Sequence, residues 1–372
     1  MNILINASEL KQGGGIQVAD SICRALYRYP QHRFHVVLSS FFKEQEFNNN
    51  RDNIFFYRYD LNKYDLLLLL TGRNKFLDAI VKTNRINIVL NVFGPSLWKP
   101  RCTTVTGFAR AHLVMPESPY YFSFSKLQLY RERIYNALLY YFFKRSTDVF
   151  FTENEMISNR VERLFGKKTV TITNFYNQVF DSPELWIEHK LPDYSGITLL
   201  TISSYYPHKN LTIAFDILRY IKSKGDSINI RFVYTVTEEE FPPIPEEFKS
   251  NFLLIGKVNI KECPSLYRQC DIAFQPTLLE CFTATYPEAM RMRKPIVTVD
   301  LDFARGICGD AASYYSPIDG KAAAESILKV ARDPFYSNLL VEKGCQRLKV
   351  FDDYNQRVNK IINLMEDSIN VK

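Results

Sequence analysis

Asp271-Ile-Ala-Phe-Gln-Pro-Thr-Leu-Leu-Glu280-Cys-Phe-Thr-Ala-Thr-Tyr-Pro-Glu288-Ala-Met290 is the stretch on which the fold turns. Ile272 to Gln275 reads as a short buried strand, a loop then carries Glu280, and a helix opens around Thr283 to Pro287 with Glu288 on its first turn. Strand, loop and helix in that order are the unit of a parallel α/β sheet, whose ligands lie beyond the carboxyl ends of the strands. Ionised carboxylates accept paired hydrogen bonds from vicinal hydroxyls, so two held at the ends of one such loop suit a sugar and a ribose, with the amides between them facing a diphosphate. Glutamates eight apart are common by chance, and the strand-loop-helix context is what gives this pair weight.

A second loop of the same kind lies upstream. Ser203-Ser204-Tyr205-Tyr206-Pro207-His208-Lys209-Asn210 follows an apolar strand, Ile197 to Ile202, and precedes an amphipathic helix, Leu211 to Lys222. A lysine there places an ammonium on a phosphate as a point charge. The plainer reading is an exposed lysine, but a cation at a helix start is mildly unfavourable with the helix dipole, which favours a ligand. Nearer the start of the chain, Gly13-Gly14-Gly15-Ile16 separates a strand, Met1 to Ala7, from a helix, Ile16 to Tyr29. Glycines allow close backbone approach to a ligand. The run is not the dinucleotide fingerprint, and a tight turn without a ligand is an equal alternative.

Alternation continues on both sides. Phe34 to Ser39, Ile54 to Tyr57, Asp65 to Leu70, Asn87 to Asn91, Ala111 to Met115 and Asp148 to Thr152 read as strands of the first half, and Asn229 to Thr235, Phe252 to Ile255 and Ile296 to Val299 as strands of the second. Turn residues at Leu191-Pro192-Asp193-Tyr194-Ser195-Gly196 reset the pattern. The expectation is therefore two α/β domains of Rossmann type, residues 1–190 and 191–352, with a closing helix at 353–372 packing back on the first and an interdomain cleft as the natural site.

With 372 residues, 46% hydrophobic and 23% charged, the composition excludes a disordered or fibrous chain. No apolar run nears the roughly 18 residues that span a bilayer. The first residues read as a strand and not as a secretion signal, which predicts a cytoplasmic protein. Seven scattered cysteines without zinc spacing read as reduced thiols, and no metal site is expected. Net charge is +7, and the first 190 residues alone carry 25 Lys and Arg against 17 Asp and Glu, so an anionic partner is expected of that half.

The glycine loop, the Pro-His-Lys-Asn loop, Leu254-Ile-Gly256, Glu280-x7-Glu288 followed by Arg293-Lys-Pro-Ile-Val, and Gly309-Asp-Ala-Ala together resemble family 4 glycosyltransferases of the GT-B fold. The likeness is specific over Ile197 to Pro317 and general before it. It implies a retaining, metal-independent hexosyl or glycosyltransferase (EC 2.4) without cofactor, moving a sugar from a nucleotide diphosphate sugar to a glycan or lipid-linked glycan acceptor in surface polysaccharide synthesis such as lipopolysaccharide. Carried over residue by residue, Glu288 resembles the ribose-binding carboxylate and Glu280 the one that meets the donor sugar. Lys209 resembles the diphosphate lysine, Phe282 and Thr283 the amide donors beside it, Val258 the neighbour of the base, Gly14 and Gly15 the first-domain loop, and His112 the histidine near the reacting carbon. Two departures stand out. The arginine usual before the lysine is missing, leaving Arg110, Arg305 or His208 as substitutes, and Cys281 and Thr283 replace glycines.

Residues 119–146 interleave aromatics with Lys126, Arg131, Arg133, Lys144, Arg145 and one acid, Glu132. Such a segment suits peripheral contact with anionic lipid on the inner face of the plasma membrane, or a core helix with a solvated basic edge. No nucleic-acid motif accompanies it. Two other functions fit the same residues: a retaining glycosidase, which needs two carboxylates about 5 Å apart, and a non-catalytic GT-B-like scaffold that binds a nucleotide sugar or glycan.

Overall fold

The computed structural model describes residues 1–11, 14–42, 52–62 and 65–370, so Gly13 lies outside the described residues. The chain divides into two compact units: Met1–Val114 with Phe124–Thr173 and Asp352–Lys372, and Met115–Ser123 with Asn174–Phe351. The boundary expected at residue 190 falls instead at Thr173, because β-pairing in the first unit ends just before it. Residues 174–190 pack with the second unit, where the Ile187 N–H donates to the Lys261 carbonyl and the His189 ring meets Glu262 at 2.9 Å.

In the first unit, β1 (Asn2–Ala7), β2 (Arg33–Leu38), β3 (Ile54–Arg58), β4 (Ile88–Asn91), β5 (Thr103–Gly107), β6 (Val149–Thr152) and β7 (Thr169–Thr171) form a parallel sheet in the order β3-β2-β1-β4-β5-β6-β7. Parallel strands are covered on both faces and so read as apolar runs; Ile3, Leu4 and Ile5 of β1 are all fully buried. Around the sheet lie α1 (Gly14–Ala25), α2 (Leu66–Thr71), α3 (Lys75–Thr83), α4 (Ala111–Val114), α5 (Lys126–Ser146) and α6 (Glu155–Phe165).

Two expected strands are helices. Asp65 to Leu70 falls in α2, because the Asp65 carboxylate caps the Leu67 and Leu68 amides and Gly72, at φ 71°, ends the helix in the left-handed conformation. A short leucine run has no period that separates strand from helix, and the cap decides. Ala111 to Met115 likewise begins with helix α4. Its place in the sheet is taken by Thr103–Gly107, whose Thr and Val side chains are buried between β4 and β6.

The second unit repeats the plan with β8 (Ile197–Thr201), β9 (Ile230–Tyr234), β10 (Phe252–Leu254), β11 (Ile272–Gln275), β12 (Ile296–Val299) and β13 (Ala312–Tyr315), parallel and ordered β10-β9-β8-β11-β12-β13. Its helices are α7 (Ile213–Ser223), α8 (Cys263–Arg268), α9 (Thr285–Arg291), α10 (Asp302–Cys308), α11 (Gly320–Arg332) and α12 (Pro334–Arg347). The last helix, α13 (Tyr354–Asn370), sets Val358, Ile361, Ile362 and Met365 into the first unit's core beside Val18, Ala19 and Ile22 of α1. It is pinned there by Arg357, which donates to Glu153 at 2.7 Å with the two side chains only 2% and 7% exposed.

Candidate functional site

In each sheet the order reverses once, between β1 and β4 in the first unit and between β8 and β11 in the second. At such a switch point the connecting helices leave to opposite faces and a crevice opens beyond the strand ends. The loop after β8 carries Lys209 and the loop after β11 carries Glu280, so both belong to the second crevice by topology alone.

Their geometry is closed. The Lys209 ammonium donates to Glu280, with both side chains mostly buried. Backbone bonds stitch the two loops around this pair: the Leu278 N–H donates to the His208 carbonyl at 2.8 Å, and the Thr277 hydroxyl reaches the same oxygen at 3.4 Å. Pro207–Lys209 forms a single 3-10 turn that ends at Asn210 in the left-handed conformation, which aims the lysine back across the crevice. The His208 ring stacks on Tyr206 at 5.6 Å and stands edge-on to Tyr120 at 5.8 Å. Ser118 donates to the Leu278 carbonyl at 2.7 Å, which explains why residues 115–123 group with this unit.

Glu288 lies on α9, 5% exposed, and accepts from the Tyr267 hydroxyl at 3.3 Å. Burial pushes its carboxyl up to about 7, against the lowering effect of that hydrogen bond. Burial thus favours the protonated form of the carboxyl that the sequence reading takes as an ionised acceptor. No contact joins it to Lys209 or Glu280 among the described residues. Between the two acids, Phe282 turns its ring edge-on to Phe351 at 6.0 Å, and the Thr283 and Thr285 hydroxyls meet at 3.0 Å. The backbone amides of Phe282 and Thr283 donate to no protein acceptor among the described residues. Val258 is half-buried just after Gly256, whose φ of 72° requires glycine. Of the substitutes for the missing arginine, Arg305 is committed elsewhere, held by Asp300 at 2.6 and 2.9 Å and stacked 3.9 Å over Tyr314.

The first crevice is built differently. Gly14 opens α1 and has nothing within 4 Å of the place a Cβ would take, whereas a Cβ on Gly15 would stand 3.2 Å from the Leu10 Cδ2. Ser96, after β4, donates to Glu9, after β1, at 2.7 Å across the switch point, and Asn6 donates to Asn91 at 2.9 Å. Burial raises the Glu9 carboxyl to about 7, with the Ser96 bond and Arg110 opposing. Glu9 was not singled out from sequence; its only signal was its place after the first strand. His112, on α4, pairs with Glu132 of α5 at 3.3 Å.

The basic aromatic segment splits between units: residues 119–123 belong to the second, and α5 to the first. Buried residues on α5 are Leu139, Phe143 and Ser146, yet Leu127, Tyr130, Ile134, Leu138 and Tyr141, spaced three or four apart on one face, are 47–62% exposed. Lys126, Arg131, Arg133 and Lys144 are exposed beside that stripe. The helix is therefore apolar toward core and toward solvent. No helix among the described residues is long and apolar enough to cross a membrane.

Residues 196–333 match the family model described as glycosyl transferases group 1. A search of curated protein sequences returns no match. Among solved structures, sucrose-phosphate synthase from Thermosynechococcus elongatus is similar at TM-score 0.70 and 12% identity, covering 100% of this chain and 99% of its own. The Anabaena protein HepE, solved with UDP and glucose, is similar at TM-score 0.64 and 14% identity, over 97% of this chain and 99% of its own. WaaG, a glycosyltransferase involved in lipopolysaccharide biosynthesis, is similar at TM-score 0.68 and 12% identity, over 98% and 99%. The chain thus has the GT-B fold of two parallel-sheet α/β units, and its second unit carries the glycosyl transferases group 1 pattern.

Proposed function

We propose that this protein is a retaining glycosyltransferase that moves a sugar from a nucleoside diphosphate sugar to a glycan or lipid-linked glycan acceptor in surface polysaccharide synthesis, without a metal or cofactor. The observation that carries the proposal is the Lys209–Glu280 pair at the second sheet's switch point, with the amides of Phe282 and Thr283 beside it. A cation, two amide donors and a carboxylate at one crevice are the groups that a sugar diphosphate requires. The family match over residues 196–333 and the UDP and glucose held by HepE support the same donor class.

In this scheme the donor's diphosphate takes Lys209 from Glu280, which is freed to accept from the sugar's hydroxyls, and Glu288 accepts from the ribose. The bond between the anomeric carbon and the diphosphate oxygen breaks as the acceptor oxygen bonds to the same face of that carbon. The acceptor's proton passes to the departing phosphate oxygen. Lys209 and the amides stabilise the charge that builds there. Gly14, Gly15 and His112 serve the first-unit side of the reaction, and Val258 flanks the base.

The outward stripe of α5, flanked by Lys126, Arg131, Arg133 and Lys144, serves peripheral docking on anionic lipid at the inner face of the plasma membrane. Positive charge beside apolar rings matches a negatively charged interface better than it matches zwitterionic lipid. Incubation with UDP-, GDP-, ADP- and CMP-sugars, with the product followed by NMR, tests the proposal. A new glycoside with the donor's anomeric configuration supports it. Donor binding without transfer to any acceptor would instead identify a non-catalytic scaffold.

A further inference from the structure

The amino ends of β5 and β6, opposite the carboxyl edge that holds Gly14 and His112, frame a concavity of about 500 Å³. Four cations line it, Arg73, Lys99, Arg101 and Arg145, against a single acid, Asp148. Two of the cations, Arg145 and Arg73, have structural partners, and Lys99 and Arg101 are left without a carboxylate partner among the described residues.

Most of the groups are fixed in place. Arg145 donates to the carbonyls of Leu68, Leu69 and Leu97, closing the end of α2, and its Nε is buried without an acceptor. It has no carboxylate partner among the described residues. Arg73 pairs with Asp78 at 2.9 Å. Asp148 is turned toward the backbone, accepting from the Thr104 amide at 2.9 Å. Lys99 is anchored by its backbone, whose amide donates to the Gly72 carbonyl at 2.7 Å, while a Cβ on Gly72 would stand 2.8 Å from the Lys99 Cβ. The lysine stem is thus seated on a glycine that leaves it room. Lys99 and Arg101 are exposed and pair with no carboxylate among the described residues.

More positive charge lies alongside. Lys167 donates to the carbonyls of Lys144 and Thr147 at the end of α5. Burial holds its ammonium below the usual lysine range; Lys144 and Lys99 push the same way, and Asp148 opposes them. Cations gathered in a concavity repel one another and concentrate anions from solution. Lys99 and Arg101, exposed at the rim, offer an ammonium and a planar guanidinium, the donors that phosphate oxygens accept from.

We infer that this concavity is a second anion site, taking a phosphate or diphosphate group and separate from the donor crevice. The group comes either from a free phosphorylated molecule or from an anionic lipid headgroup. The second source is within reach of the outward stripe of α5, since Tyr141 precedes Arg145 by one helical turn and the Arg145 guanidinium sits 5.3 Å over its ring.

The test uses the full chain with Lys209→Ala, so that the donor crevice does not report. Titration calorimetry with inorganic pyrophosphate, and co-sedimentation with phosphatidylcholine vesicles with and without phosphatidylglycerol, are compared before and after adding Lys99→Ala and Arg101→Ala together. Both are exposed, so an unchanged melting temperature is expected. Pyrophosphate binding that weakens tenfold or more identifies a free phosphate ligand. Vesicle binding that requires phosphatidylglycerol and is lost in the same variant identifies the headgroup. Binding of neither probe, or binding indifferent to the double substitution, overturns the inference.

Discussion

The two switch points of this chain share one topology and little chemistry. In the second sheet, loops after β8 and β11 meet through opposite charges, Lys209 on Glu280. In the first, the strands β1 and β4 meet through Asn6 on Asn91, and the loops after them through Ser96 on Glu9, a hydrogen bond and not an ion pair, with Arg110 acting on Glu9. One crevice holds an ion pair. The other presents amides, glycine and a carboxyl that burial raises to about 7. Repeating a fold twice therefore repeats where ligands bind, while the side chains on two loops decide what binds.

The largest effect expected concerns how each unit holds itself together. Arg357→Ala leaves Glu153 buried without its partner, and a loss of about 3 to 5 kcal/mol is expected in denaturant unfolding. A loss under about 1 kcal/mol would show that α13 is held by its apolar face alone. Next comes the charged crevice. Lys209→Ala is expected to lower the transfer rate a hundredfold or more, about 3 kcal/mol of transition-state stabilisation, at unchanged fold. Near-normal turnover would erase the contrast between the two crevices.

Glu288 gives a pH signature of comparable size. Its folded carboxyl titrates at about 7 against an ordinary value of 4.5, so between those values the folded chain holds a proton that the unfolded chain has released. Stability should therefore fall as pH rises from 4.5 to 7, by up to about 3 kcal/mol from this group, and, since Glu9 is raised over the same range, Glu288→Gln should remove about half of that slope. A profile equally steep in the variant assigns the slope to another group. Smallest in stability is Leu127→Ser with Leu138→Ser on α5, expected within about 0.5 kcal/mol of the parent. Its effect belongs on vesicles, where retention on anionic lipid should drop; undiminished retention would remove α5 from the lipid contact.

The second crevice was far more legible in the sequence than the first. Lys209, Glu280 and Glu288 are charged residues placed just after apolar strands, and period and charge together pick them out. Glu9 follows a strand as well, but its raised carboxyl comes from burial and its partner Ser96 is 87 positions away, neither of which a local pattern reports. Tyr267 escaped for the same reason, since it matters only through its contact with Glu288. Among the elements, long alternating segments were read correctly. The leucine run at residues 66–70 was not, because its helical state depends on the Asp65 cap and on Gly72. On α5 the segment's composition was clear, but only the structure separates Leu139 and Phe143, which face inward, from the five residues of the outward stripe.

One consequence follows from where α13 sits. Val358, Ile361, Ile362 and Met365 complete a core whose other walls come from residues 3 to 172. During synthesis the earlier-made unit keeps one side uncovered until residues 354–370 have been made, whereas the later-made unit already has all its pieces by residue 351. The unit begun first is thus the last to close, and removing residues 354–370 would injure the sheet of residues 2–171 and spare that of residues 197–315.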